Sequence, residues 1–297
     1  MFVVAGATGH TGSVVAETLL SRRQSVSVLV RSEEKGLPWK ANGGEVVVAS
    51  LSDRAALTEA LKNVDGAYLL VPPHYEAPDY LADRRALVSA VANAVRDSEV
   101  RHVVFLSSIG AHHAEGTGVI QVLHDAEAQL RGAARNVTII RAPYFMENWV
   151  PALHEARLRG VLPSFLSADR AIPMIATRDI GLLAAECLLD RPKGHRVLEL
   201  SGPALYSPAD VARVAAELFH RPVQVEVLPL DAVVPTFTRL GCSESTARLF
   251  REMYAGLESG HIDFQDNGCC RPRGLITLAQ ALSEAGKTIN GVAASVR

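Results

Sequence analysis

The sequence predicts an α/β fold: a doubly wound parallel sheet with a smaller, discontinuous α/β domain towards the C-terminus. Three observations carry this. Residues 2–5, Phe-Val-Val-Ala, are apolar on both alternating faces, as a strand covered from both sides requires. The run breaks into Gly6, Gly9 and Gly12, and an amphipathic stretch over 13–20 follows at once. Over about 110 residues, short apolar strands then alternate with helical patterns, as in a parallel sheet with crossover helices.

Strand, glycine turn and helix in that order give the glycine spacing its meaning. Gly6 permits the sharp turn, Gly9 lets the backbone approach a pyrophosphate, and Gly12 lets helix and strand pack closely. Free N–H groups at the helix start then face phosphates. Gly6, Thr8, Gly9, His10, Thr11 and Gly12 are therefore the expected dinucleotide cradle, against the alternative of a plain tight turn.

The 297 residues are 48% hydrophobic and 21% charged, enough for one large core with a smaller companion. A net charge of −2 provides no basic footprint, so no direct nucleic-acid partner is expected. Cys187, Cys242, Cys269 and Cys270 lack metal-ligand spacing, and no metal site is expected. Cys187 reads as a core residue; Cys269-Cys270 reads as a reduced loop or surface pair. No leader-like segment and no apolar run of membrane-spanning length occurs, which predicts a cytoplasmic protein, monomer or homodimer, with no membrane association.

In order along the chain, 25–30 reads as the second strand and ends in Arg31-Ser32, with Lys35 close behind. A 2′-phosphate wants cationic and hydroxyl groups there, whereas NAD would want an acid. Glu33 and Glu34 come too late, so NADP(H) is the expected cofactor, with Arg31, Ser32 and Lys35 on its phosphate. Residues 45–49 form the third strand. Asp53 either caps the helix 54–61 or contacts the adenine, beside Leu51. The fourth strand, 66–71, stops at Pro72-Pro73. Val71, Pro72 and Pro73 then lie at the carboxyl edge where ligands of parallel sheets bind. A long helix over 80–96 leads to strand five, 102–106, ending in Ser107-Ser108. The helix 121–130 leads to strand six, 137–140, followed by Arg141-Ala142-Pro143-Tyr144-Phe145-Met146-Glu147-Asn148-Trp149.

The GxxGxxG turn, the Arg31 strand end, Ser107-Ser108 and the Arg-x-x-x-Phe-x-x-Asn block resemble the NmrA-like branch of the atypical short-chain dehydrogenases/reductases. That branch includes NADPH-dependent quinone and dye reductases, plant ether and isoflavone reductases, and regulators that bind the cofactor without turnover. The resemblance covers most of residues 2–200. It implies a Rossmann-type domain over 1–144 and about 174–200, binding NADP(H) with Ser107, Ser108, Pro143, Tyr144 and Phe145 along the cofactor. The smaller domain takes 145–173 and 201–285, and 286–297 form a tail. Thr177 or Asp179 is expected to cap the helix that returns the chain to the large domain. Ser207-Pro208 and Thr277-x-x-Gln280 are further helix starts.

Ordinary short-chain reductases use Tyr-x-x-x-Lys after strand five. Between Ser107 and Arg141 this chain has neither tyrosine nor lysine, so that mechanism is excluded. His124 stands where quinone-reductase relatives carry a histidine, and Glu127 lies one turn along. His124 is the candidate proton donor, or a cofactor or substrate contact. Ser107 is the candidate group orienting a carbonyl. His112-His113 reads as a mobile loop over the pocket. Tyr144, Asn148 and Trp149, with Phe145, suit a wall for a flat ring. The expected function is an NADPH-dependent oxidoreductase passing hydride to a quinone-like or conjugated carbonyl acceptor. The rival is a redox-sensing NADP(H)-binding regulator with a protein partner.

Overall fold

The computed structural model describes residues 1–265 and 268–284. The expected tail, 286–297, lies outside the described residues. Alternating strands and helices lead the chain: β1 (Phe2–Val4), α1 (His10–Ser21), β2 (Val26–Val30), α2 (Glu33–Ala41), β3 (Glu45–Val48), α3 (Arg54–Leu61), β4 (Gly66–Leu70), α4 (Tyr80–Ser98), β5 (Val103–Ser108), α5 (Gln121–Ala133) and β6 (Val137–Ala142). The chain then leaves this sheet for β7 (Tyr144–Phe145), α6 (Val150–Arg159), β8 (Val161–Ser164) and β9 (Ile172–Ile175), and returns through α7 (Thr177–Asp190) and β10 (His195–Glu199). A second excursion holds β11 (Leu205–Tyr206), α8 (Pro208–Phe219), β12 (Gln224–Val227), α9 (Val233–Arg239) and α10 (Glu244–Ser259).

The large sheet runs β3-β2-β1-β4-β5-β6-β10, parallel throughout. The chain therefore winds outward one way from β1 and then the other way from β4. Every strand near the middle buries both faces, which explains its unbroken apolar run. Phe2, Val4, Tyr68 and Ile140 face α1 and α7, while Val3, Leu69, Phe105 and Ile139 face α3, α4 and α5. A separate core gathers Met146, Trp149, Leu153, Met174, Val211 and Leu257 from both excursions.

Asp53 Oδ1 accepts from Ala56 N at 3.0 Å, so Asp53 does cap α3. Ser207 and Asp210 form a reciprocal capping box on α8, and Thr277 with Gln280 does the same before the helical turn at 278–284. Cys187 is buried in the core. Neither Thr177 nor Asp179 caps α7. Glu147 reaches across from the sixth-strand block instead, accepting from Thr177 N at 2.9 Å and from Thr177 Oγ1 at 2.7 Å. Asp179 is turned away to accept from Ile276 N at 3.0 Å. Sequence reasoning missed α2, a mostly polar helix with Pro38 inside it.

His102, just ahead of β5, is 2% exposed; its Nε2 meets Thr138 Oγ1 at 3.0 Å. Burial, then the Arg196 charge, pushes its pKa from 6.5 down to about 4. The folded protein holds this ring neutral while the unfolded chain protonates it near 6.5, so the contribution is intact above that pH. It is lost as pH falls towards 4, by about 3 kcal/mol in all. Urea unfolding at pH 7 and pH 5 should show this loss in the wild type. The same comparison in His102→Gln should show much less, and an unchanged slope would assign the loss to another group.

Candidate functional site

The turn after β1 is shaped by steric limits. Gly6 has φ +67°, and a β-carbon there would sit 2.7 Å from Leu70 Cδ2. A β-carbon on Gly12 would fall against the Gly6 carbonyl and 2.7 Å from Ala5 O, nearer than real β-carbons come. Gly9 N donates to Gly6 O at 2.8 Å, closing the turn. Gly9 is also the residue ahead of α1, so no side chain caps the helix. Its first N–H donors point out beside the carboxyl ends of β1 and β4, where the winding direction reverses. Thr8, Gly9 and His10 are exposed around them. Thr11 is buried, its Oγ1 accepting from Tyr68 OH at 2.9 Å, so its side chain points into the fold and its backbone faces the turn.

Arg31 is exposed at the end of β2, with no carboxylate partner among the described residues. Ser32 stands at the head of α2 and makes no capping bond, and Lys35 is exposed on the same first turn. Leu51 is half-buried behind Asp53. Val71 and Pro72 are half-buried, Pro73 is exposed, and Arg84 Nη1 holds the Pro72 carbonyl at 2.8 Å. An uncapped helix start, a turn closed to side chains and an exposed cation at the β2 end fit a dinucleotide with a 2′-phosphate. Such a cofactor supplies hydride chemistry when bound.

At the other end of the sheet, strand register places Ser107, Arg141 and Glu199 side by side on the α5 face. Glu127 of α5 closes over them. Ser107 Oγ donates to Glu127 Oε1 at 2.7 Å, and Arg141 grips the same carboxylate with Nε at 2.9 Å and Nη2 at 2.7 Å. Arg141 also donates to Gln265 Oε1 at 2.8 Å and lies 3.6 Å from Glu199. Burial alone would lower the Arg141 pKa; the Glu127 hydrogen bonds and charge outweigh it and hold the pKa above its usual value. Ser107 is thus 3% exposed, its hydroxyl engaged with Glu127. Ser108, the next residue, is half-buried at the strand end.

His124 and Glu127 do share a face, and with His112, Arg131, Arg141 and Cys269 they line a cavity of about 350 Å³. His124 Nδ1 lies 2.9 Å from Ala111 O. A carbonyl only accepts, so the neutral ring carries its proton on Nδ1 and offers a lone pair at Nε2. The His112-His113 segment packs against the second core: the His113 ring lies 3.9 Å from His112 and 4.2 Å from His261. Burial first, then the neighbouring His113 and Arg141 charges, pushes the His112 pKa to about 4. The sequence could not show this packing because His261 is far away along the chain.

The block after β6 divides between the cores. Pro143 is buried, Phe145 packs on the large-sheet core, and Tyr144 packs on the second core, its ring 6.1 Å from that of Trp149. Trp149 is 5% exposed, whereas Asn148 is exposed. Sequence reasoning missed a line of rings facing this block. Tyr75, beyond β4, lies 5.2 Å from Phe250; Phe250 stacks on Phe237 at 4.3 Å; Phe237 lies 6.2 Å and Phe165 5.2 Å from Tyr254. Tyr254 and Tyr144 both pack against the second core. Ser243 N donates to Tyr75 O at 2.8 Å, tying the β4 loop to the head of α10. Phe250 and Tyr254 sit four apart on one helix, a signal visible in a chain with 5% aromatic residues.

Sheet order and glycine turn define a dinucleotide-binding protein of the Rossmann type. The profile of the NmrA-like family matches residues 1–259, and the chain belongs to that family. It is 27% identical over 255 residues to an NAD(P)H azoreductase of Xenophilus azovorans, covering 86% of each chain. It is 30% identical over 236 residues, 78% of each chain, to the (4-alkanoyl-5-oxo-2,5-dihydrofuran-3-yl)methyl phosphate reductase of Streptomyces griseus. Its fold is similar to the NADPH complex of an Escherichia coli NADPH-dependent quinone oxidoreductase, with a TM-score of 0.81 at 22% identity over 98% of this chain and 100% of that one. Among the described residues no helix is long and apolar enough to cross a membrane, and no group of three or more His, Cys, Asp or Glu could hold a metal.

Proposed function

We propose that this chain is an NADPH-dependent oxidoreductase that reduces a small, flat, quinone-like or conjugated carbonyl acceptor. The observation that carries the reading is the pairing of an uncapped glycine turn with an aromatic wall across the carboxyl edge of the same sheet. The turn residues Gly6, Thr8, Gly9, His10, Thr11 and Gly12 hold the diphosphate through backbone N–H groups. Arg31, Ser32 and Lys35 take the 2′-phosphate, and Leu51 and Asp53 flank the adenine. Val71, Pro72, Pro73, Ser108, Pro143, Tyr144 and Phe145 line the nicotinamide half. The rings exclude water and present a flat acceptor to the reacting carbon, which is most of what hydride transfer asks of a protein. The three relatives, whose names describe azo, dihydrofuranone and quinone reduction, support acceptors with a conjugated, electron-poor centre.

The test is a calorimetric titration with NADPH, NADP⁺, NADH and NAD⁺, followed by turnover with a quinone series. Preference for NADPH and quinone-dependent oxidation of it are the expected results. Selective binding of NADP⁺ with a change of assembly and no turnover would replace the enzyme by a redox sensor. Within this reading, Arg31→Asp should weaken NADPH binding by about 10- to 100-fold, the worth of charge-assisted phosphate contacts, and improve NADH binding. Unchanged affinities for both would remove Arg31 from the phosphate.

A further inference from the structure

The charges around the cavity beside α5 do not cancel. Glu127 lines it, and Glu199, fully buried, stands 3.6 Å from Arg141. Three guanidiniums meet these two acids. Arg141 grips Glu127 from the sheet, Arg131 reaches Glu127 at 3.3 Å, and Arg271 reaches Glu199 at 3.4 Å. Asp125, the next acid along α5, is turned away to Arg85 at 2.6 Å. Among the described residues the cluster therefore keeps one positive charge that no carboxylate answers. His112 adds none at neutral pH, since burial first and then the His113 and Arg141 charges push its pKa to about 4.

The surplus is open to a ligand at one side of the cavity. Arg141 is committed to Glu127 through Nε and Nη2 and to Gln265 through Nη1. Arg131 is held more loosely: its Nη2 makes the longer contact with Glu127, and its side chain is 40% exposed at the rim. Gln265 is oriented by its neighbour. A guanidinium only donates, so Arg141 selects the amide oxygen, at 2.8 Å, and the amide nitrogen is left as a donor. Arg131 and Gln265 line the same cavity of about 350 Å³.

We propose that this cavity is an anion subsite that receives a carboxylate carried on a side arm of the acceptor, with Arg131 as the charged partner and the Gln265 amide as a second donor. The assignment rests on the oxidoreductase reading above and narrows its substrate class to conjugated acceptors with a negatively charged substituent. Register supports the placement. Ser107 pairs with Arg141 and Ser108 with Ala142, so the cavity begins about 4.8 Å, one strand spacing, from the Ser108 end of the nicotinamide half. A flat ring over that half would lay a short arm into the cavity. Surrounding carboxylates do not repel the arm, because each already has a guanidinium of its own.

A matched pair of acceptors tests this: a 1,4-naphthoquinone with a propanoate arm on the quinone ring, and its primary amide. The two are alike in shape and differ by one charge. In the wild type kcat/KM should favour the carboxylate by about tenfold, the worth of a charge-assisted pair at a half-exposed rim. The difference should lie in KM, because the contact is the same before and during hydride transfer. Rising salt should shrink the preference. Arg131→Gln should bring the ratio to about one, Arg131→Lys should keep most of it, and Arg131→Glu should reverse it. A wild type that treats the pair alike, or a preference that survives Arg131→Glu, would overturn the subsite. Reduction of both quinones without preference leaves the oxidoreductase reading standing and removes only the subsite; reduction of neither removes that reading and the subsite with it.

Discussion

Arg141→Leu should destabilise the fold by about 3–5 kcal/mol, because it strips the shared cation from buried carboxylates. Glu127 is 4% exposed and Glu199 fully buried, and both lean on the same guanidinium. Arg131 and Arg271 reach them only from the rim, at 3.3 and 3.4 Å. A leucine fills the space and leaves the charges behind. Urea unfolding at pH 7 measures the loss. Arg141→Lys should recover only part of it, because one ammonium cannot reproduce the two-pronged grip on Glu127. A loss below about 1 kcal/mol would mean that the surroundings, and not Arg141, neutralise these acids.

Gly9→Ala should keep the fold and lose the dinucleotide. The residue has φ −107°, open to alanine, and an added β-carbon would approach only Gly6 O, at 3.4 Å. In the free protein the substitution should change stability by less than about 0.5 kcal/mol. The β-carbon then occupies space that a pyrophosphate needs, and NADPH affinity should drop by at least about 100-fold, roughly 3 kcal/mol. Gly12→Ala offers the contrast, since its clash with Gly6 and Ala5 already exists without ligand and should show in thermal unfolding. Near-normal NADPH binding by Gly9→Ala would place the diphosphate elsewhere.

The parts legible in the sequence are those whose cause is local. Phe2–Val4 is apolar on both faces because helices cover both, and Asp53, Ser207 and Thr277 cap helices with groups three residues away. Arg31 could be placed at a strand end without knowing any neighbour. What escaped depends on residues brought together by register and return. Ser107 looked like a carbonyl-orienting hydroxyl until Arg141, Glu199 and Glu127 gathered around it. The cap of α7 was sought within the helix and came from Glu147, thirty residues earlier. Phe250 meets Tyr75 of the β4 loop, with Phe237 and Tyr254 behind it, only once the second excursion has folded back. Helix α2 escaped for another reason: its faces are hardly distinguished, with Gly36 and Trp39 its only buried residues.

The Glu147 cap also bears on how such a protein can diversify. Glu147 stands where the first excursion departs and Thr177 where it ends, and a carboxylate joins the two. Between these anchors, 150–175 can lengthen, shorten or change its rings while the root keeps its spacing. Lineages could thereby exchange one reducible compound for another without renegotiating the nucleotide half. A pinched loop of this kind separates what must be inherited from what is free to be tried.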